Sequence, residues 1–375
     1  MGATIRFSWM SLSVCFAMVL SGCRADLGEP RSQPAKEPAS VGTQGPSRAE
    51  QGATPAIVPQ PESEPGVRIE RPRQRGMWVH DPSTIVKCKD EYWLFSTGRG
   101  IQSWHSRDLV QWQAGPRVFA SVPAWTSEAV PGNRGSFWAP DVIHLADRFL
   151  LYYSVSTWGS KTSAIGLASN PSLDPADPDY GWTDHGIVIQ TGERDDFNAI
   201  DPAVTQGLDG NLWLVFGSYW SGIKLIQLDP ATGKRISPDS PVYSLAYHES
   251  IEAPFICHHE GYYYLFVNWG LCCRGVNSTY NIRIGRSADI TGPYIDKDGV
   301  NMLAGGGSLL LETQGQFIGP GHAGIFSQGD KHWLSYHYYD GSRGGRATLG
   351  MRPLQWDADG WPQLGEPLNS TKNED

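Results

Sequence analysis

Five stretches of the chain open on a polar or charged residue, run into a short apolar strand, turn, and return through a strand rich in aromatic residues. The openings read His80-Asp81-Pro82-Ser83-Thr84-Ile85, Ala139-Pro140-Asp141-Val142-Ile143, Ile200-Asp201-Pro202-Ala203-Val204, Ile251-Glu252-Ala253-Pro254-Phe255-Ile256 and Gly321-His322-Ala323-Gly324-Ile325-Phe326. The returning strands are expected at 92–97, 149–154, 212–217, 262–267 and 332–337. Between them lie turn pairs such as Asp209-Gly210 and Glu260-Gly261, which supply the positive φ angles that tight hairpins need. Returning strands such as Tyr92-Trp93-Leu94-Phe95 are apolar almost throughout, as a strand covered on both faces must be. Third strands are expected at 165–168, 223–228, 280–286 and 347–353, and no helical periodicity of useful length follows Trp78.

Taking Asp81, Asp141, Asp201, Glu252 and His322 as equivalent, the steps between repeats are 60, 60, 51 and 70 residues. Strand repeats of that length predict an all-β, five-bladed β-propeller, one blade per repeat. Equivalent positions in such a ring converge on its axis, so four carboxylates and a histidine are expected to meet there. Pro82, Pro202 and Pro254 fit the start of a strand, where a missing amide donor costs no ladder bond. The acids beside them then sit at strand mouths, facing a water-accessible funnel.

The first residues read differently. Arg6 precedes an apolar run over 7–20 that ends in Leu20-Ser21-Gly22-Cys23. The run is too short to span a bilayer and has the form of a secretory signal. Its last four residues match the bacterial lipobox. Residues 1–22 are therefore expected to be removed, and Cys23 to carry a lipid anchor, making a periplasmic or cell-surface lipoprotein. Residues 23–76 hold no Phe, Tyr or Trp and are dominated by Pro, Gly, Ser, Gln and Glu, the composition of a disordered tether. Residues 77–370 form the propeller.

A formal charge of −9 excludes nucleic acid or an anionic membrane surface as a charge-driven partner; a monomer is expected. Of six cysteines, Cys88, Cys257, Cys272 and Cys273 fall in the propeller, with no CxxC or Cys/His spacing for structural zinc. Adjacent Cys272 and Cys273 suit either a vicinal disulfide or two separate thiols.

Hydrolysis of a glycosidic bond needs one group to protonate the leaving oxygen and another to activate water, and paired carboxylates in unlike surroundings supply both. Asp81, Asp201 and Glu252 are the candidates by position. The same placement also suits acids that only cap strand-end amides.

Longer stretches carry a resemblance. They include His80-Asp81-Pro82, Phe137-Trp138-Ala139-Pro140-Asp141, Asn198-Ala199-Ile200-Asp201-Pro202 and Gly217-Ser218-Tyr219-Trp220-Ser221-Gly222. Ser250-Ile251-Glu252-Ala253-Pro254, Cys272-Cys273-Arg274-Gly275-Val276-Asn277-Ser278-Thr279-Tyr280 and Gly319-Pro320-Gly321-His322 continue the series. Together they resemble glycoside hydrolase family 43 from about Trp78 to Trp361, and within it the endo-acting α-1,5-L-arabinanases. The resemblance implies a five-bladed propeller that inverts the anomeric carbon of arabinan, the arabinofuranose side chain of pectin. It implies Asp81 as general base, Glu252 as general acid, and Asp201 as a third acid that stays ionised, raises the pKa of Glu252 and orients it.

His322 matches a histidine that approaches calcium largely surrounded by water. His80, Asn198, Ser218, Tyr219 and Trp220 match contacts to arabinose hydroxyls. Phe137 and Trp138 suit stacking on a sugar face, and Trp138 equally suits core packing. Asp141 is outside the three acids and is expected to hydrogen-bond locally or support the cleft floor. An exo-acting α-L-arabinofuranosidase or β-xylosidase of the same family is the nearest rival. Those enzymes often carry a C-terminal β-sandwich, for which the residues after Trp361 leave no room. A non-catalytic glycan-binding propeller is the rival from another class, but it could have lost an acid, and all three are present.

Overall fold

The structure, a computed structural model, describes residues 77–368. The expected signal, Cys23 and the tether lie outside those residues. Five antiparallel sheets follow one another along the chain. Blade 1 is Val86–Cys88, Glu91–Ser96, Gln102–Ser106 and Gln113–Ala114. Blade 2 is Ser136–Leu145, Arg148–Val155, Ser163–Asn170 and Thr183–Thr191, with Gly98–Arg99 added at its inner edge. Blade 3 is Ala203–Gln206, Leu212–Phe216, Ile223–Leu228 and Tyr243–Ala246. Blade 4 is Glu252–His259, Tyr262–Trp269, Asn281–Ser287 and Ser308–Leu311; blade 5 is Phe317–Gln328, Lys331–Asp340, Arg346–Trp356 and Pro362–Leu364. The chain is a five-bladed β-propeller, as its repeats predict.

The core lies between blades. Leu94, Phe95, Leu151, Tyr152, Leu214, Val215, Leu265 and Phe266 of the second strands are all but fully buried, which explains why these strands are apolar on both faces. Blade 1 closes on blade 5 by the same packing. Ile85, Tyr92 and Leu94 form one cluster with Phe326, Leu349 and Met351, and the Val79 amide donates to the Ala347 carbonyl.

The inner end of every blade carries the same bulge. Three residue steps on the first strand face two on the second. His80 to Ser83 oppose Thr97 to Phe95, and Ile200 to Ala203 oppose Gly217 to Val215. Trp138 to Asp141 oppose Ser154 to Tyr152, Glu252 to Phe255 oppose Asn268 to Phe266, and Gly321 to Gly324 oppose His337 to Ser335. The residue after the first of each set is left-handed: Asp81 (φ 51°), Ala139 (43°), Asp201 (56°), Ala253 (52°) and His322 (61°). Among residues with a Cβ, Asp and His tolerate that region best. A bulge of this kind re-aims its side chain, here toward the axis.

This register corrects the expected one. Asp81, Asp201 and His322 are equivalent, but Glu252 precedes the bulge residue of its blade and Asp141 lies two residues beyond its own. The residues that do repeat in register are Pro82, Pro140, Pro202 and Pro254.

A ring of hydrogen bonds fixes the bulges. Each left-handed amide donates to a side chain of the preceding blade: Asp81 to His337 Nδ1 (3.2 Å), Ala139 to Thr97 Oγ1 (2.8 Å), Asp201 to Ser154 Oγ (2.9 Å) and His322 to Asn268 Oδ1 (2.8 Å). In blade 3 the corresponding acceptor position is Gly217, which has no side chain, and the Ala253 amide donates instead to Asp201 Oδ2 at 3.2 Å. Asp141 does more than bond locally. Its two oxygens accept from the Thr84 and Val204 amides, both at 2.8 Å, and so tie blade 2 to blades 1 and 3 beneath the funnel.

Candidate active site

A cleft of about 980 Å³ opens at the axis, and Asp81, Asp201, Glu252 and His322 all line it. Asp81 and Asp201 arrive there because the bulge turns them in. Glu252 occupies the preceding position, which in blades 1 to 3 belongs to His80, Trp138 and Ile200, also at the cleft wall.

Asp81 is the best-supported charge in the site. Its Oδ1 lies 2.7 Å from His80 Nδ1, and Thr97 Oγ1 donates to Oδ2 at 2.5 Å. Burial opposes ionisation, but the His80 charge and hydrogen bond outweigh it and hold the carboxyl well below the usual carboxylate range. For His80, too, burial opposes the charged form, and Asp81 overcomes it, pushing the imidazole up to about 10. The other His80 nitrogen, Nε2, bonds Tyr339 Oη at 2.8 Å. With both nitrogens engaged, His80 is a partner of Asp81 more than a free ligand for a sugar hydroxyl.

Glu252 and Asp201 lean the other way. Burial is the main cause that raises Glu252 to about 7, with the Asp81 charge adding to it and a 2.8 Å hydrogen bond from Ser218 Oγ opposing. Burial, then the charges of Glu252 and Asp81, pushes Asp201 well above the usual range. Asp201 therefore does not stand as a permanently ionised neighbour. The two buried carboxyls are electrostatically coupled, so ionisation of Glu252 disfavours that of Asp201. The site thus offers an ionised carboxylate on blade 1 and two carboxyls raised by burial on blades 3 and 4.

The remaining expected residues divide. Trp138, Asn198, Ser218, Tyr219 and Trp220 line the cleft. Asn198 is buried, and its Oδ1 has no hydrogen-bond partner among the described residues. Phe137 does not reach the cleft. It is fully buried against Tyr153 and Phe119, because neighbours on a strand point to opposite faces and Trp138 takes the cleft side. Thr97, Tyr339 and the highly exposed Trp158 also line the cleft, and no sequence pattern singled them out. Thr97 was findable as the residue that pairs with His80; Trp158 sits in a loop without a repeat signal.

His322 is buried, with its Nδ1 3.7 Å from Asp81 Oδ1. Burial lowers its pKa, against the pull of Asp81, so the imidazole is neutral and able to bind a cation. The donors around it do not make a calcium cage, which takes six to eight oxygens. Asp81 is the one carboxylate in the group it forms with His80 and His337. The candidate ligands that the described residues bring within reach of one another are His80, Asp81 and His337, and His322 is not among them.

The sequence profile of the glycosyl hydrolases family 43 matches residues 75–362. The chain belongs to glycosyl hydrolase family 43. It is 42% identical over 302 residues to the extracellular exo-alpha-(1->5)-L-arabinofuranosidase ArbA of Cellvibrio japonicus, across 77% of this chain and 86% of that protein. It is 42% identical over 292 residues to the extracellular endo-alpha-(1->5)-L-arabinanase 1 of Bacillus subtilis, across 76% and 87%. The solved structure of a Cellvibrio cellulosa alpha-L-arabinanase superposes with a TM-score of 0.74 at 42% identity, across 77% of this chain and 96% of that one. This family 43 member is a glycosidase, and the relatives named above are an arabinofuranosidase and arabinanases.

Proposed function

We propose that the protein cuts internal α-1,5 bonds of arabinan with inversion, using Asp81 as general base and Glu252 as general acid. The observation that carries this reading is the opposition of the two groups. Asp81 is ionised on blade 1, and Glu252 holds a proton on blade 4, across the axis of a five-blade ring and not in adjacent blades. Inversion needs such a gap, about 6.5–9.5 Å, to seat a water. Asp81 takes the proton of that water as it attacks the anomeric carbon, and Glu252 gives its proton to the departing oxygen. Burial, with the Asp81 charge adding to it, keeps Glu252 protonated, and Asp201 accepts from the Ala253 amide at 3.2 Å and so fixes the backbone that carries Glu252.

Trp78, Trp158 and Trp220 rim the cleft from the N-terminal lead-in and from blades 2 and 3, all well exposed. Apolar sugar faces pack on such rings, and platforms on several sides suit a chain that passes through. The exo mode is the second reading, because one of the two 42%-identical relatives carries an exo name. Product sizes from linear arabinan over time separate them. Mixed oligosaccharides in the first minutes are expected; release of one short product from the start would give the exo reading.

A mostly hydrated calcium ion at His322 would add positive charge beside Asp81. Chelation is expected to lower activity or thermal stability while leaving product identity unchanged, and His322→Ala to lower the calcium bound per chain. Full activity in protein shown by elemental analysis to be metal-free would mean that no ion takes part.

Both relatives are named extracellular, which supports secretion, and the lipobox at Cys23 supports a lipid anchor. Cys23→Ser should move active protein from the membrane fraction to the soluble one; a soluble, unacylated wild type would contradict anchoring.

A further inference from the structure

Cys272 and Cys273 are absorbed by neither the fold nor the chemistry above, yet both line the cleft. Their Sγ atoms are in contact, 2.7 Å apart, and no bond joins them in this structure. Cys273 is exposed and has a left-handed backbone (φ 63°). Its amide donates to Tyr339 Oη at 2.6 Å, and its Sγ lies 3.6 Å from His80 Nε2. The pair therefore touches His80, which holds the Asp81 carboxylate, and Tyr339, which bonds the other nitrogen of His80. A change in its oxidation state would be felt at the base.

We propose that Cys272 and Cys273 are joined as a vicinal disulfide in the secreted protein, and that this bond keeps the cleft wall in its working state. The proposal rests on the secretion argued above, because disulfides persist in oxidising compartments. The bond forms by exchange with an external disulfide, either a protein dithiol oxidase or oxidised glutathione. The Cys273 thiolate attacks one sulfur of the donor and expels a thiolate. Cys272 then loses its proton and attacks Cys273 Sγ, expelling the second. Two protons and two electrons leave the pair, and the donor is reduced to two thiols.

Two features make the bond reversible. Adjacent Cα atoms are about 3.8 Å apart across a trans peptide, closer than the roughly 4.4–6.8 Å of ordinary disulfides, and strained disulfides are the more reducible ones. The reduced state also differs in charge. The neighbouring Cys272 thiol, with burial opposing and His80 assisting, lowers the Cys273 thiol to about 6. Reduction thus places a thiolate beside His80, where it competes with Asp81 for the imidazolium and adds negative charge to a cleft that already holds three acids.

The test uses the full chain purified without reductant, alkylated while denatured and cleaved with chymotrypsin. The peptide between Trp269 and Tyr280 contains no other cysteine. It should carry no alkyl group before reduction and two afterwards. Two alkyl groups before reduction, or a link to another cysteine, would overturn the bond. In parallel, a dithiol reductant should lower kcat/KM on linear arabinan by roughly three- to tenfold, the equivalent of up to one pKa unit at the site. Oxidised glutathione should restore it, and the Cys272→Ser/Cys273→Ser double variant should not respond. Unchanged kcat/KM in wild type shown by mass to be reduced, or an equal response in the double variant, would overturn the role of the bond. The mass readout needs no substrate, so it decides whether the bond exists even if the protein does not act on arabinan.

Discussion

Glu252→Gln and Asp81→Asn each leave a folded propeller that retains arabinan and turns it over roughly a hundred- to ten-thousand-fold more slowly, the range expected for loss of one acid–base partner. Neither side chain carries the packing, since the core lies between the blades and these groups stand in the funnel. The pH dependence has a definite sign. Glu252 must hold its proton, and its surroundings raise it to about 7, so kcat/KM should fall as pH rises through that region. Asp81 sits far below the usual range and should contribute no limb in the working range. Asp201→Asn alters the group that holds the Ala253 amide beside Glu252, and turnover should fall severely. Steady-state kinetics with circular dichroism as the fold check read all of this. Near-wild-type turnover in any of the three variants removes that residue from the mechanism.

Asp141→Leu should cost the most stability of any single change outside the core. Its carboxyl accepts from the buried Val204 amide and the partly buried Thr84 amide, on different blades. Leaving a buried donor unpaired costs about 1–3 kcal/mol each. Relief of the carboxyl's own burial offsets part of this, because burial raises Asp141 to about 6 in spite of those two amides. A net loss of roughly 2–4 kcal/mol in urea unfolding is expected. The sign with pH also follows. A carboxyl raised above its unfolded value stabilises fully below that value, about 4, and the contribution is lost as pH rises through the folded value. The gap between wild type and variant should therefore narrow from pH 4 to above 6. A variant as stable as wild type at pH 4 would mean that Asp141 does not tie the blades.

The blades were legible because buried strands announce themselves: Tyr92-Trp93-Leu94-Phe95 and Tyr262-Tyr263-Tyr264-Leu265-Phe266 have no other place to go. The register within a blade was less so. Aligning the acids treated Glu252 and Asp141 as equivalents of Asp81, whereas the bulge places them one residue before and two residues after the matching positions. Aligning Pro82, Pro140, Pro202 and Pro254 would have shown this, since each follows the left-handed residue of its blade. It would also have shown Asp141 to lie too deep in its strand to face the funnel. Phe137 and Trp138 were paired as sugar platforms although adjacent strand residues face opposite ways. Of the groups that hold the base in place, Thr97 follows the second strand of the same blade and was findable from its pairing with His80, whereas Tyr339 bonds His80 from blade 5, which only the closed ring brings there. The raised pKa values of Asp201 and Glu252 depend on their burial, which the sequence does not report.

The proposed roles of Asp81 as base on blade 1 and Glu252 as acid on blade 4, with a water between them, entail inversion of the anomeric centre. Proton NMR of linear α-1,5-arabinan during the first minutes of hydrolysis reads that outcome. New reducing ends should appear first as the β-anomer and only later equilibrate. First appearance of the α-anomer would mean retention, and with it a covalent intermediate that this arrangement of Asp81 and Glu252 does not provide.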